Sequence, residues 1–209
     1  MSYLSQLIEG YRRFRETGWA HERERWSELA ESQEPKLMVI ACSDSRVDPS
    51  QIFDASPGEM FVVRNVANLV PPFEAGGGRH GVSAALEFAV TQLEVPEIVV
   101  LGHGQCGGVA AALSRRFDGA RPGEGGFIAH WVDLLDEARD RIVAEHGLDA
   151  HTLMEFEAVR VSLANIRTFP CIPEREQSGR LRLHGAHFAI ADGILRVLDE
   201  ATGEFSPVQ

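Results

Sequence analysis

Two cysteines and a histidine stand directly after two short apolar runs of this sequence. Cys42 follows the run KLMVIA, whereas His103 and Cys106 follow EIVVLG within the glycine-rich segment GHGQCGG. In open α/β sheets, ligands bind at the carboxyl ends of the strands. If both runs are strands of one sheet, we expect the two segments to converge on one spot.

Two thiolates and one imidazole form a ligand set that suits zinc. Three protein ligands leave the fourth tetrahedral position open, which is typical of a catalytic site rather than a structural one. Zinc lowers the pKa of a bound water to about 7 in favourable sites, and we expect a somewhat less acidic water here because two thiolates donate more charge than imidazoles. The resulting zinc-bound hydroxide can attack a small electrophile such as carbon dioxide. Cys171 could close the tetrahedron, but it stands between Pro170 and Ile172, in a segment with no link to a strand end.

A plainer interpretation of Cys42 and Cys106 is that they are small buried hydrophobic residues, as free cysteines often are. The H-x-x-C pair formed by His103 and Cys106 stands in a glycine-rich loop at a predicted strand end, and this position favours a metal site.

The segment after Cys42 carries a carboxylate, Asp44, and a guanidinium, Arg46. In an extended chain these three side chains point to the same face. Asp44 is then within reach of the metal, and Arg46 can hold that carboxylate through two parallel hydrogen bonds. The alternative is an ordinary surface ion pair, which contributes little. The position beside a metal ligand favours a functional pair.

The elements that position these residues follow from the apolar pattern. It predicts strands at 36–41, 60–63 and 97–101, a strand–turn–strand hairpin at 187–198, and helices at 79–93, from about 107, at 127–145 and at 151–168. This alternation predicts an α/β fold with a mostly parallel central sheet flanked by helices and an antiparallel edge hairpin. Helical spacing in residues 1–31 predicts an N-terminal helical arm before the α/β core at 35–209, all within one domain.

Composition excludes several classes of function. The chain has 209 residues and a formal net charge of -11, and this acidity disfavours nucleic acid and anionic membranes as partners. Its three cysteines argue against a disulfide scaffold and for a reducing compartment. No signal-peptide pattern and no apolar stretch of membrane-spanning length is present, so we expect a cytoplasmic protein.

Three segments, ACSDSRVDP, PGEMFVVRNVANLV and GHGQCGGV, closely resemble the signature segments of the β-carbonic anhydrases. The resemblance implies a carbonate dehydratase that reversibly hydrates carbon dioxide to bicarbonate and a proton. It implies one zinc ion per chain on Cys42, His103 and Cys106, with Asp44 and Arg46 as the catalytic pair. It also implies an arm that embraces a partner, in a homodimer or homotetramer.

The same resemblance implies substrate-binding roles for four further residues: Gln33, Phe61, Val66 and Gly104. Gln33 matches a glutamine that donates a hydrogen bond to bound bicarbonate in the plant-like, open-site subgroup. Phe61 and Val66 match apolar residues of the substrate pocket, and Gly104 is expected to present its backbone to the substrate. The RN pair that follows Phe61 in the second segment is interpreted as structural.

The sequence also departs from the family pattern. Phe88 and Gln92 stand where plant members have a Tyr and a His that have been considered for proton transfer, so the proton route is open. Val39 stands where some bacterial members have a Trp that helps to build a second, inhibitory bicarbonate site. We therefore expect a site that is open at rest, with Asp44 held by Arg46, and bicarbonate that inhibits only as product.

Two other functions fit the same features. One is a carbon disulfide or carbonyl sulfide hydrolase, which uses the same fold and zinc ligands. The other is a non-catalytic zinc-binding protein, although the intact Asp44, Arg46 and Gln33 argue against lost turnover. A nucleotide-binding module is disfavoured, because neither a G-x-G-x-x-G nor a Walker loop stands between a predicted strand and helix.

Overall fold

The computed structural model describes residues 2–76, 78–147 and 150–208 of the chain. The chain divides into two compact units, Met1–Glu34 and Pro35–Gln209. This division falls between the predicted arm and the predicted core. Among the described residues, no helix combines the length and the apolar character that crossing a membrane requires.

The N-terminal unit consists of three helices, α1 (Tyr3–Glu16), α2 (Gly18–His21) and α3 (Arg23–Glu31). The Ser2 side chain caps α1 by accepting a hydrogen bond from the Ser5 backbone N–H, as an N-cap serine commonly does. Helix α1 carries an exposed apolar stripe at helical spacing: Tyr3, Leu4, Leu7, Ile8, Tyr11 and Phe14.

The second unit is built on a mixed sheet. Its strands within the described residues are β1 (Leu37–Cys42), β2 (Met60–Asn65), β3 (Glu97–His103), β4 (Arg182–Ala189), β5 (Ile194–Asp199) and β6 (Glu204–Pro207), in the order β2-β1-β3-β4-β5-β6. The pairs among β1 to β4 are parallel, whereas β5 and β6 join by antiparallel pairing. The predicted mostly parallel sheet with an antiparallel edge is confirmed.

Helices connect and cover these strands. They are α4 (Pro49–Ile52), α5 (Gly81–Thr91), α6 (Gly107–Ser114), α7 (Gly126–Val132), α8 (Asp136–His146), α9 (His151–Ile166) and α10 (Pro173–Gln177). The single helix predicted at 127–145 is wrong, because a 3-10 turn at Asp133–Leu135 separates α7 from α8. Strand β4 begins at Arg182, before the predicted start at 187, and β6 was not predicted.

The two faces of β1 explain why its sequence is apolar throughout. Met38 and Ile40 pack with Leu163 of α9 in the largest core cluster, whereas Val39 and Ala41 pack on the opposite face. A central parallel strand that is covered on both faces has no solvent side, so its sequence does not alternate between polar and apolar residues.

Helix α9 lies close to β3 and β4, because each of these strands has a glycine where it faces the helix. A Cβ atom at Gly102 would come within 2.8 Å of a Val159 methyl group, and one at Gly185 within 2.9 Å of the other methyl group. Both distances are shorter than those that Cβ atoms make with other heavy atoms in proteins. The two glycines therefore set how near the middle of α9 comes to β3 and β4.

Candidate metal centre

The three candidate zinc ligands lie together at the carboxyl edge of the sheet. Cys42 ends β1, His103 ends the adjacent parallel strand β3, and Cys106 precedes α6. The Cys42 and Cys106 Sγ atoms are 3.9 Å apart, and all three ligand atoms lie within 4.8 Å of one another. All three residues are buried. Within the described part of the chain, this is the cluster arranged to hold a metal ion.

Backbone N–H groups surround the two sulfur atoms. Those of Asp44 and Ala67 hydrogen-bond to Cys42, and those of Gly108 and Val109 at the start of α6 hydrogen-bond to Cys106. Ala67 reaches this position with a φ of 63°, in the left-handed region that non-glycine residues rarely adopt. Such amide donors favour the thiolate form, which is the form that binds metals.

The close contact between the sulfur atoms separates the pKa values of the two thiols. The hydrogen bond from Cys106 lowers the pKa of Cys42 to about 4, although burial acts in the opposite direction. The same hydrogen bond, together with burial, raises the pKa of Cys106 above its usual value. Metal-free protein therefore keeps one proton on the pair near neutral pH, and metal binding must release it.

His103 presents one specific ring nitrogen to the cluster. Its Nδ1 atom lies 2.9 Å from the Gly104 carbonyl oxygen and donates its hydrogen there. Nε2 is buried and has no hydrogen-bond partner among the described residues. A buried lone pair without a partner beside two sulfur atoms, in a tautomer fixed by the other nitrogen, is what a zinc-binding histidine requires. The residues present therefore fit zinc.

Asp44 and Arg46 form a bidentate ion pair at the open side of the cluster. Arg46 Nε donates to Asp44 Oδ1 at 2.9 Å, and Nη2 donates to Oδ2 at 2.6 Å. The Arg46 side-chain hydrogen bonds, which outweigh partial burial, hold the pKa of Asp44 well below its usual range. Asp44 Oδ2 is 3.9 Å from His103 Nε2, so the carboxylate lies next to the ligand atoms.

The predicted reason for this pairing is wrong, because the chain does not stay extended after β1. The Asp44 carboxylate also accepts the Arg46 backbone N–H at 2.9 Å, and the Val47 N–H donates to the Asp44 carbonyl. An aspartate that bonds to the backbone two residues later forms a turn of its own. That turn brings Asp44 and Arg46 together.

A residue that the sequence analysis treated as structural holds this turn in place. Arg64 of β2 donates from Nε to the Cys42 carbonyl at 2.9 Å, and from Nη2 to the Asp44 and Val47 carbonyls at 2.7 and 2.6 Å. Its strand neighbour Asn65 forms two hydrogen bonds with the Leu69 backbone. The RN pair thus fixes the turn that follows Cys42 and the segment 65–69, which contains Ala67.

The four candidate substrate-binding residues lie on different parts of the fold. Val66 precedes Ala67, which contacts Cys42, and Gly104 follows His103, so both adjoin the ligand cluster. Phe61 packs on the Phe88 ring, with centroids 6.0 Å apart.

Phe61 pairs with Met38, four residues before the Cys42 position, which places it about 13 Å along the sheet at 3.3 Å per residue. Gln33 is an exposed residue of the N-terminal unit. Cys171 is half-buried and belongs to the edge of the main core cluster, not to the metal cluster.

Comparisons with known proteins agree with this geometry. The family model for carbonic anhydrase matches residues 37–195. A carbonic anhydrase from Pseudomonas aeruginosa is 38% identical over 205 residues, which are 97% of this chain and 90% of that protein. The structure of the β-carbonic anhydrase CcaA has a TM-score of 0.90 and 32% identity, covering 100% of this chain and 93% of that chain.

A tetrameric β-carbonic anhydrase from the filamentous ascomycete Sordaria macrospora has a TM-score of 0.81 and 28% identity. That match covers 93% of this chain and 96% of the other chain.

Proposed function

This chain belongs to the β class of the carbonic anhydrase family, and we propose that it catalyses the reversible hydration of carbon dioxide to bicarbonate and a proton. One observation carries the proposal most directly. Two buried cysteines and a histidine with an unpartnered Nε2 atom adjoin a carboxylate that an arginine holds in its ionised form. The arrangement combines a catalytic type of metal site with a hydrogen-bond acceptor that stays ionised near neutral pH.

We propose that Cys42, His103 and Cys106 hold one zinc ion per chain. When bound, zinc supplies the Lewis acidity that makes a water molecule nucleophilic near neutral pH. The chain supplies two thiolates, stabilised by backbone N–H groups, and an imidazole locked in the binding tautomer.

Asp44 is proposed to orient the attacking water. Its carboxylate is kept ionised by Arg46, and an ionised carboxylate only accepts hydrogen bonds, so it fixes the direction of the water's O–H group. Arg46 is itself fixed, because its Nη2 atom also donates to the Gln105 carbonyl at 2.9 Å. Holding the nucleophile and the acceptor in one geometry removes an entropic part of the barrier.

The substrate-binding assignments remain proposals of the same kind. Val66 and Gly104 adjoin the ligand cluster and are suited to line a narrow pocket for a small apolar molecule. The roles of Phe61 as an apolar wall and of Gln33 as a donor to bicarbonate stay predictions, because Phe61 lies about 13 Å along the sheet from the Cys42 position of its own chain and Gln33 is exposed.

The resting site is proposed to be open, with Asp44 on Arg46 rather than on the metal. The bidentate pair at 2.9 and 2.6 Å supports this state. Val39 is fully buried within β1 and offers neither an N–H donor nor a flat surface to a second bicarbonate.

Association of at least two copies is also proposed, with residues 1–31 as the contacting arm of a single domain. The apolar stripe of α1 is exposed, and the related enzyme from Sordaria macrospora is tetrameric. A partner copy would cover that stripe and remove it from water.

The function is tested by stopped-flow measurement of carbon dioxide hydration by zinc-loaded protein, with carbon disulfide as the competing substrate. We expect hydration well above the uncatalysed rate and no comparable turnover of carbon disulfide. Turnover of carbon disulfide alone would assign the chain to the sulfur-analogue hydrolases, and zinc binding without either reaction would make it a non-catalytic zinc protein.

A further inference from the structure

A buried carboxylate contacts the backbone of the metal cluster at Cys106. Glu155 of α9 is only 3% exposed. Its Oε1 atom accepts the Cys106 backbone N–H at 3.1 Å, and its Oε2 atom is 3.0 Å from Nε2 of His187, on β4. His151 Nδ1 is 2.9 Å from Oε1. A buried charge is costly unless it is paired, so these contacts indicate a specifically built site.

A single peptide group links Glu155 to Arg46. The Cys106 N–H and the Gln105 C=O are the two ends of the same peptide. Glu155 accepts from the N–H end, and the C=O end accepts from Arg46 Nη2 at 2.9 Å. A continuous line of hydrogen bonds therefore runs from Glu155 through this peptide to Arg46 and on to Asp44.

The backbone conformation at Gln105 needs the support of these two hydrogen bonds. Gln105 has a φ of 58°, in the left-handed region, which is unfavourable for a residue with a side chain. A strained conformation persists only where surrounding contacts hold it. Here Glu155 and Arg46 hold opposite ends of the peptide, and each contact also polarises the other through it.

The fold explains how Glu155 reaches this position. Gly102 of β3 lies directly beneath α9, where a Cβ atom would come within 3.6 Å of the Glu155 carbonyl oxygen and 2.8 Å of Val159. The close approach that this glycine permits brings the first turns of α9 against the loop that carries His103 and Cys106. His187 then anchors the carboxylate from β4, next to β3 in the sheet.

We propose that Glu155 is a positioning residue that fixes the Gln105–Cys106 peptide, directing the Cys106 sulfur towards Cys42 and His103 and the Gln105 carbonyl towards Arg46. The proposal rests on the proposed function only in that the cluster binds zinc. Because the carboxylate acts through the position of its oxygen atom, the length of the side chain matters more than its charge.

Two substitutions separate length from charge. Glu155→Gln keeps the side-chain length and an acceptor oxygen for the Cys106 N–H. His187 can still pair with the new amide by changing tautomer, so that its Nε2 accepts and its Nδ1 carries the hydrogen; that Nδ1 atom has no partner among the described residues. Glu155→Asp keeps the charge but withdraws the oxygen atoms by about one C–C bond, about 1.5 Å. Glu157→Asp is the matched control, because Glu157 lies on the same helix and pairs with Arg141 and Arg160 instead.

The readouts are the zinc dissociation constant, measured by competition with a chromophoric chelator, and the absorption bands of the cobalt-substituted protein. We expect Glu155→Asp to weaken zinc binding by about 10- to 100-fold, the usual effect of losing an outer partner of a metal ligand, and to shift the cobalt–thiolate bands. Glu155→Gln should stay close to the unmodified protein, and Glu157→Asp should change neither readout.

Wild-type zinc affinity and cobalt bands in Glu155→Asp would overturn the proposal. An equal loss in Glu155→Gln and Glu155→Asp would also overturn it, because the charge rather than the position would then matter. Neither readout depends on turnover. A protein that binds zinc here but does not hydrate carbon dioxide would refute the proposed function and leave this test in force.

Discussion

Single hydrogen bonds decide which atoms of this site are available for chemistry. The Gly104 carbonyl engages Nδ1 of His103 and leaves Nε2 for the metal. Arg46 engages both oxygen atoms of Asp44 and keeps that carboxylate ionised beside the cluster. Each contact selects one protonation state, so the site is arranged before substrate or metal arrives.

Asp44→Asn tests the role of this carboxylate. The amide has nearly the same shape but can donate a hydrogen bond where the carboxylate only accepts. We expect kcat/KM for carbon dioxide to fall by about 100-fold or more, the usual range for a proton-directing side chain, with zinc content unchanged. Asp118→Asn, in an exposed loop, is the control. Unaltered turnover in Asp44→Asn would remove Asp44 from the mechanism.

Cys106→Ser tests the assignment of the ligands. A serine hydroxyl is a poor substitute for a thiolate on zinc, so we expect the purified variant to lose most of its metal. Cys171→Ser is the matched control, because Cys171 lies outside the cluster, and it should keep one zinc per chain. The zinc content per chain of both purified variants is the measurement. Full retention of zinc by Cys106→Ser would exclude Cys106 as a ligand.

At the scale of elements, the turn after β1 is the part that sets the state of the site. Arg64, on the neighbouring strand β2, donates to three carbonyl groups of residues 42–47. The turn held in this way keeps Asp44 paired with Arg46. The register that pairs Ala41 with Arg64 places this guanidinium beside the turn. Movement of Asp44 to the metal would require the turn to rearrange against these contacts.

Bicarbonate inhibition reports on that turn. An anion that binds two states of a protein equally cannot shift their balance, and the Val39 side chain has neither an indole N–H donor nor a flat surface for a second bicarbonate. We therefore expect bicarbonate to inhibit carbon dioxide hydration hyperbolically, as a product that competes at zinc. Initial rates over a range of bicarbonate concentrations provide the measurement. Sigmoidal inhibition, or Asp44 bound to zinc in a crystal grown near pH 7, would show that other residues build a closed state.

Predictability from sequence also differs between elements. Strands β1 and β3 were predictable because the apolar run of β1 ends in a polar loop and that of β3 in a glycine-rich loop, and this also located the three candidate ligands. Strand β6 escaped prediction because an exposed, four-residue edge strand that ends in proline carries no apolar pattern.

The tertiary contacts of the site were not predictable in the same way. The contacts of Arg64 and Glu155 depend on strand register and on how closely α9 approaches the sheet. The spacing of residues along the chain encodes neither quantity. The turn formed by Asp44 was missed because an extended chain was assumed beyond β1, although aspartate commonly forms such turns.

At the scale of the whole molecule, the exposed apolar stripe of α1 indicates association. Its apolar residues repeat at helical spacing, and each of those six side chains is more than two-fifths exposed to solvent. Single exposed hydrophobic residues are ordinary, but a continuous stripe indicates a surface that another molecule covers.

Sedimentation velocity at micromolar concentration tests this inference. We expect the protein to sediment as a dimer or tetramer, and Leu4→Glu combined with Leu7→Glu to shift it towards the monomer by placing charges in the contact. Gln6→Glu adds a charge to another exposed position of α1 and should leave the assembly intact. A stable, active monomer of the unmodified protein would contradict the inference.

The central claim is that one zinc ion in this cluster makes the chain a carbon dioxide hydratase. The most direct measurement titrates metal-free protein with zinc while stopped-flow recording follows carbon dioxide hydration. We expect a rate that rises linearly with added zinc and becomes constant at one equivalent per chain. A rate that does not depend on zinc, or a break at any other ratio, would contradict it.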